Sequence, residues 1–211
     1  MLWLHAVNKA PGVYLLLDLD CQPVYAGQAS NLWKRLRDHL VNQRSDVITD
    51  VLLDVYEVRE VVIWYRIEEL ELPLRTDDDD DPDVLAKREP LDVMESAIIK
   101  HFRPRWNRAR GRFRGIDLPK LTLDNCDQRI AVVSEAELVE RTRPIRRIEA
   151  KLLHLLRAVR KASVSGESRR AMMGLKQHAT DLRSLCQPGP RRRGGPRADD
   201  DGRESFPPFA D

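Results

Sequence analysis

The sequence predicts an α/β domain of the α+β kind, a short three-stranded antiparallel sheet flanked by helices, followed by a C-terminal helical extension. Three observations carry this. Residues 11–29, PGVYLLLDLDCQPVYAGQA, read as two apolar runs separated by polar and proline punctuation, which is a hairpin signal. The run VREVVIWYRI, residues 58–67, has the β-branched and aromatic content of a strand. Two segments, LWKRLRDHL at 32–40 and LDVMESAIIKHF at 91–102, read as helices.

Each element has a local cause. In the hairpin, Gly12-Val13-Tyr14 opens the run VYLLLDL, Asp20-Cys21-Gln22-Pro23 ends it, and Val24-Tyr25-Ala26 follows. Side chains alternate faces along a strand and face one another across an antiparallel pair, so Tyr14 and Tyr25 come within reach of a common site. Gly27 lets the chain turn, and Ser30 or Asn31 can cap the first helix. On that helix Arg35 and His39 are four residues apart and project from one face. Residues 46–55 read as a short helix or an irregular crossover. The five aspartates Asp77 to Asp81, followed by Pro82, read as a solvated loop, because consecutive carboxylates diverge. Leu91, Met94, Ile98 and Phe102 recur at helical spacing, and Glu95 borders that face, where periodicity alone favours a solvated flank. Pro104 ends this helix.

Further along, TLDN and RIAVV are strand candidates, and Ser134 with Glu137 forms a helix-start signal. Past Pro144, the residues Ile145, Ile148, Leu152, Leu155 or Leu156, and Val159 make an amphipathic helix with a basic opposite face, and SRRAMMGLKQHATDLRSLC makes a second. Packing on the core, contact with DNA and binding of another protein or a second copy all remain open for these two. The tail from Gln187 is rich in Pro, Gly and charge and is expected to be disordered. The expected division is therefore 1–115, 116–186 and 187–211.

With 211 residues and 42% apolar content, the chain is long enough for one packed domain plus appendages. The net charge of +2 hides an uneven distribution of 36 basic and 34 acidic residues. Cys21, Cys126 and Cys186 lie far apart and outside metal-ligand spacing, which argues against a disulfide framework or zinc site and for a reducing cytoplasm. No stretch approaches the ~18 apolar residues of a membrane span, and the N-terminal apolar patch is short for a signal peptide. Between 103 and 114 the chain reads RPRWNRARGRFR, with Arg103, Arg105, Arg108, Arg110, Arg112 and Arg114, Trp106 and Phe113 interleaved, and no acid. That pattern suits phosphate contacts with aromatics available to stack, and DNA is the expected partner.

Taken together, GVY, ten residues, YAG and then Arg-x3-His resemble the GIY-YIG endonucleases, with Val13 and Ala26 in place of the two isoleucines. The later MESAIIKHFRPRWN resembles the second signature of that family, a helix with one Glu followed by a Pro and an Asn. The resemblance covers roughly residues 10–108. It implies metal-dependent hydrolysis of phosphodiester bonds in DNA, with Glu95 as the metal ligand, Tyr14 taking a proton from water, and Asn107 as the terminal Asn. Such hydrolysis needs an activated water, charge against the phosphorane-like transition state, and usually a divalent metal. Glu95, a hard oxygen ligand, suits one Mg²⁺, or Mn²⁺, that keeps several waters. Arg35 suits the phosphate, since guanidinium is always charged and forks onto two oxygens. A tyrosine with a pKa near 10 is a poor base unless cations lower it, so Arg35, His39 and the metal are expected to do so. Tyr25 and His39 are assigned to positioning and proton relay, and Asn107 to a hydrogen-bonding brace. The family spans restriction, repair, recombination and mobile-element enzymes. The Arg-rich segment with GRFRGID resembles the type II restriction branch, and the short GVY–YAG link resembles the nuclease domain of the excinucleases or the stand-alone nucleases. The rival expectation is a DNA-binding or scaffold protein that keeps the fold without cleaving.

Overall fold

The computed structural model describes residues 2–42, 52–65, 90–107, 121–165 and 169–187. Strand β1, Gly12–Asp18, buries almost its whole length because it is central, with β2, Pro23–Ala29, on one side and β3, Val58–Trp64, on the other. Both pairings are antiparallel. These are the three strands expected. A fourth, β4, Gln128–Ala131, falls in the RIAVV segment and pairs antiparallel with β3, giving the order β2-β1-β3-β4. The other strand candidate, TLDN, is a turn instead: the Asn125 Oδ1 accepts from the Thr122 amide at 2.7 Å, the local bond that draws Asn into turns.

The two faces of the sheet are covered by different helices. Helix α1, Leu32–Leu40, is capped by Asn31, whose side chain accepts from the Lys34 amide, and buries Leu32, Leu36, His39 and Leu40. Those leucines join Tyr14, Leu16, Tyr25, Val61 and Ile63 in one core. On the opposite face, helix α2, Pro90–Phe102, sets Met94, Ala97 and Ile98 against Val13, Leu15, Ala26, Val62 and Trp64. Period-two alternation thus makes β1 the wall between two cores, with odd and even residues serving different helices.

Three further helices follow: α3, Glu135–Thr142, α4, Pro144–Ser165, and α5, Arg169–Cys186. The Ser134 hydroxyl accepts from the Glu137 amide, as the helix-start signal implied. Helices α4 and α5 pack as a hairpin around Ala158, Ala162 and Ala171. The hairpin docks on the sheet domain through polar groups: Lys151 pairs with Asp54 at 2.7 Å, and Arg147 with Asp20 at 2.8 Å and Glu57 at 2.6 Å. Its apolar stripe, Ile145, Leu152, Leu156 and Val159, is exposed. The aspartate run at 77–81, residues 46–51, the arginines from Arg108 to Arg114 and the tail beyond 187 lie outside the described residues.

Candidate active site

Strand register sets the first pair of side chains. Tyr14 lies opposite Gly27 and Leu16 opposite Tyr25, so Tyr14 and Tyr25 are diagonal neighbours on the face covered by α1. Their ring centroids are 6.2 Å apart. Helix α1 brings His39 onto the same spot, 6.1 Å from Tyr14 and 5.9 Å from Tyr25. Three rings therefore form a closed triangle, and Tyr14 and His39 are almost wholly buried. Gly27 is required by this packing rather than by its backbone angle. A Cβ there would collide with the hydroxyl and ring of Tyr14.

Arg35, one turn before His39, stands beside the Tyr14 hydroxyl. Burial pushes the Tyr14 phenol well above its ordinary range, and the neighbouring Tyr25 adds to the rise. Arg35 pulls the other way, both as a charge and as a hydrogen-bond donor, and the Glu95 carboxylate adds a smaller upward push. Among the described residues no donor or acceptor meets the buried Tyr14 hydroxyl with full hydrogen-bond geometry, yet the guanidinium lies near enough to favour the phenolate. Arg35 thus acts in the direction that favours the phenolate, and desolvation outweighs it. Glu95 sits on α2, half-buried, and its charge reaches Tyr14.

Asn107 reaches β2 with both ends of its side-chain amide. Its Oδ1 accepts from the Ala26 amide at 2.7 Å and its Nδ2 donates to the Ala26 carbonyl at 2.8 Å. The two preceding amides extend the contact, Arg105 donating to the Pro23 carbonyl at 3.2 Å and Trp106 to that of Val24 at 2.9 Å. Residues 105–107 thus cover the outer edge of β2, which an unpaired strand would otherwise leave open. The positive φ of Arg103, 48°, turns the chain from α2 onto that path.

Three contacts at the site were invisible in the sequence. The Gln28 side-chain amide donates to Asp92, one turn before Glu95, and so ties β2 to α2. Trp106 packs against His178 with ring centroids 5.0 Å apart and planes tilted by 42°, and His178 meets His154 at 3.2 Å between ring nitrogens. Neither histidine has a companion in its sequence neighbourhood that would single it out, and both lie where the helical hairpin joins the site. Of the six arginines between 103 and 114, Arg103 is exposed and Arg105 pairs with Asp181 of α5, while the other four lie outside the described residues. Among the described residues no group of three His, Cys, Asp or Glu side chains could hold a metal ion. A carboxylate with few companions still fits a hard cation that retains its water shell.

Comparison with known proteins gives two distant relatives. The chain is 27% identical over 105 residues to UvrABC system protein C of Hydrogenovibrio crunogenus, and 26% identical over 104 residues to UvrABC system protein C of Desulfotalea psychrophila. Each match takes in about half of this chain, 50% and 49%, but only 14% of the relative's length. No family model matches the chain, and no solved structure matches it significantly.

Proposed function

We propose that this chain is a metal-dependent endonuclease of the GIY-YIG type that hydrolyses phosphodiester bonds in DNA. The observation that carries the reading is the gathering around Tyr14 of the Tyr25 and His39 rings, with the Arg35 guanidinium and the Glu95 charge acting on its phenol. These groups come from β1, β2, α1 and α2, and packing alone gives no reason to bury two tyrosines and a histidine together beside an arginine. The similarity to UvrABC system protein C supports a role in DNA repair over restriction.

In this reading Arg35 grips the scissile phosphate and Tyr14 orients the attacking water and takes its proton. Burial opposes ionisation of Tyr14, so the role depends on positive charge at the hydroxyl, of which Arg35 supplies the protein's share. His39 and Tyr25 fix the phenol and relay its proton. Glu95 would hold Mg²⁺ or Mn²⁺ as the chain's carboxylate ligand, and that ion would supply charge against the phosphoryl oxygens. Asn107 keeps β2 in place, and Arg103 and the arginines after Asn107 follow the DNA backbone.

A plasmid-nicking assay with Mg²⁺, Mn²⁺ or chelator tests this. Nicking should need the metal and fall at least ~100-fold in Glu95→Ala and Arg35→Ala, the usual scale for losing a transition-state charge partner. Equal activity in Glu95→Ala would sink the site assignment. Metal-independent DNA binding without nicking would favour a scaffold that has kept the fold.

A further inference from the structure

We propose that Lys9, Trp33 and Arg37 form a second binding site for nucleic-acid backbone phosphate, on the flank of α1 away from Arg35. The ligand class rests on the nuclease reading above. The inner face of α1 is fixed by Leu32, Leu36, His39 and Leu40, all buried. At 100° per residue, Arg35 falls beside His39 on one flank, while Trp33 and Arg37, four apart, share the other. The Arg37 guanidinium carbon lies 4.6 Å from the Trp33 ring centroid, and the Lys9 Nζ, from the segment before β1, lies 5.7 Å from it.

A phosphate is the missing partner for three reasons. The Arg37 guanidinium, on a side chain 40% exposed, makes no hydrogen bond to an acceptor among the described residues. The exposed part of a guanidinium fork is shaped for a phosphate. The nearest carboxylate does not serve. Asp38 Oδ1 stands 4.0 Å from Arg37 Nε, beyond hydrogen-bond reach, and is occupied by the Asn42 amide at 2.9 Å. Lys9 and Lys34 are exposed, so the outward surface from Lys9 over α1 carries three cations against Asp38. Stacking on Trp33 alone is worth only about 0.5–1 kcal/mol and leaves the exposed donors of the guanidinium without an acceptor among the described residues. A helix is ~10 Å across with its side chains, comparable to the ~12 Å major groove, so phosphates can be met on both flanks of α1 at once.

The test is binding of the full chain to a duplex oligonucleotide in chelator, by fluorescence anisotropy across a salt series. In Lys9→Gln/Arg37→Gln, two phosphate contacts are lost. The slope of log affinity against log salt should shrink by about 1.8, and affinity should drop roughly tenfold or more near 0.1 M salt. Arg37→Lys, which keeps the charge and disturbs the Trp33 contact least, should retain the slope. Thermal melting of each variant separates lost binding from lost folding, and Lys9→Gln alone, at an exposed position, should still remove about 0.9 from the slope. An unchanged slope in the folded variants would overturn the site and leave the nuclease reading intact. Failure of the unaltered chain to bind any duplex would overturn both.

Discussion

Gly27 and Tyr14 illustrate how closely the candidate site is packed. The Tyr14 ring lies over the Cα of Gly27 on the neighbouring strand, and the atoms that a new Cβ would strike belong to a side chain that is itself fully buried. Gly27→Ala should therefore move Tyr14 or part the strands. Overpacking of this kind costs about 1–3 kcal/mol, and a displacement of even 1 Å at a reacting group costs ~100-fold in rate. Nicking activity alongside chemical denaturation would read both effects, and a variant with normal activity would argue that Tyr14 is not placed for chemistry. Tyr14 also makes a prediction about alkaline pH. Its folded pKa is raised above the unfolded value near 10, so its contribution to stability is complete below about pH 10 and is lost as pH rises through the folded value. The stability difference between the unaltered chain and Tyr14→Phe should thus shift against the tyrosine between pH 9 and 11. Denaturant midpoints at a series of pH values would measure it.

Elements built from local spacing were legible in the sequence, and those settled by distant charge were not. The hairpin and helix α1 follow from period-two alternation, a cap and an i,i+4 pair, so Tyr14, Tyr25, Arg35 and His39 could be brought together on paper. The partners of Asn107 and Gln28 lie 81 and 64 residues away, and no periodicity reports such a pairing. Helix α4 shows the same limit more sharply. Its length and position match the amphipathic pattern, but the face turned inward is the polar one, with Arg147, Lys151 and His154, because Asp20, Asp54 and Glu57 wait on the sheet domain. The hairpin turn itself carries an element-scale prediction. The Asp18 carboxylate accepts from the amides of Asp20 and Gln22, and burial holds its pKa up at about 6, with Asp20 and Glu57 adding to the rise. Since that value lies above the ordinary one of 3.8, the contribution of Asp18 to stability is present below about pH 4 and is lost as pH rises through 6. Asp18→Asn keeps the acceptor and removes the charge. It should stabilise the protein by roughly 1–3 kcal/mol at pH 8, with the gain vanishing near pH 4, as melts at the two pH values would show.

For the molecule as a whole, the α4–α5 hairpin and the candidate site share one structural member, the segment 105–107. Its amides pair with the edge of β2, its Asn107 brackets Ala26, and its other side is held by α5 through Arg105 with Asp181 and Trp106 with His178. The junction behind it is a buried polar cluster, His178, His154, Lys151 and Asp54, in which Lys151 and Asp54 are each only 6% exposed. Breaking such a pair on one side costs about 3–5 kcal/mol, so the hairpin holds its place only while the cluster keeps its charge pattern. His178 is a member of the cluster that acid changes. Burial is the main cause that brings its pKa down to about 4, with His154 and Lys151 contributing and Asp54 and Asp181 pulling the other way. The folded value lies below the ordinary 6.5, so the stability it contributes is present above pH 6.5 and is lost as pH falls through 4. Acidification over that window should loosen the hairpin from the sheet domain while the apolar cores on both faces of β1 stay closed. Hydrogen exchange at matched intrinsic rates should therefore show the Arg105 and Trp106 amides losing protection before those of β1 and β3. His178→Phe, which cannot be protonated, should delay that loss. Simultaneous loss of protection across all strands would instead mean that the hairpin and the sheet unfold as one unit, with no separate docking step for acid to act on.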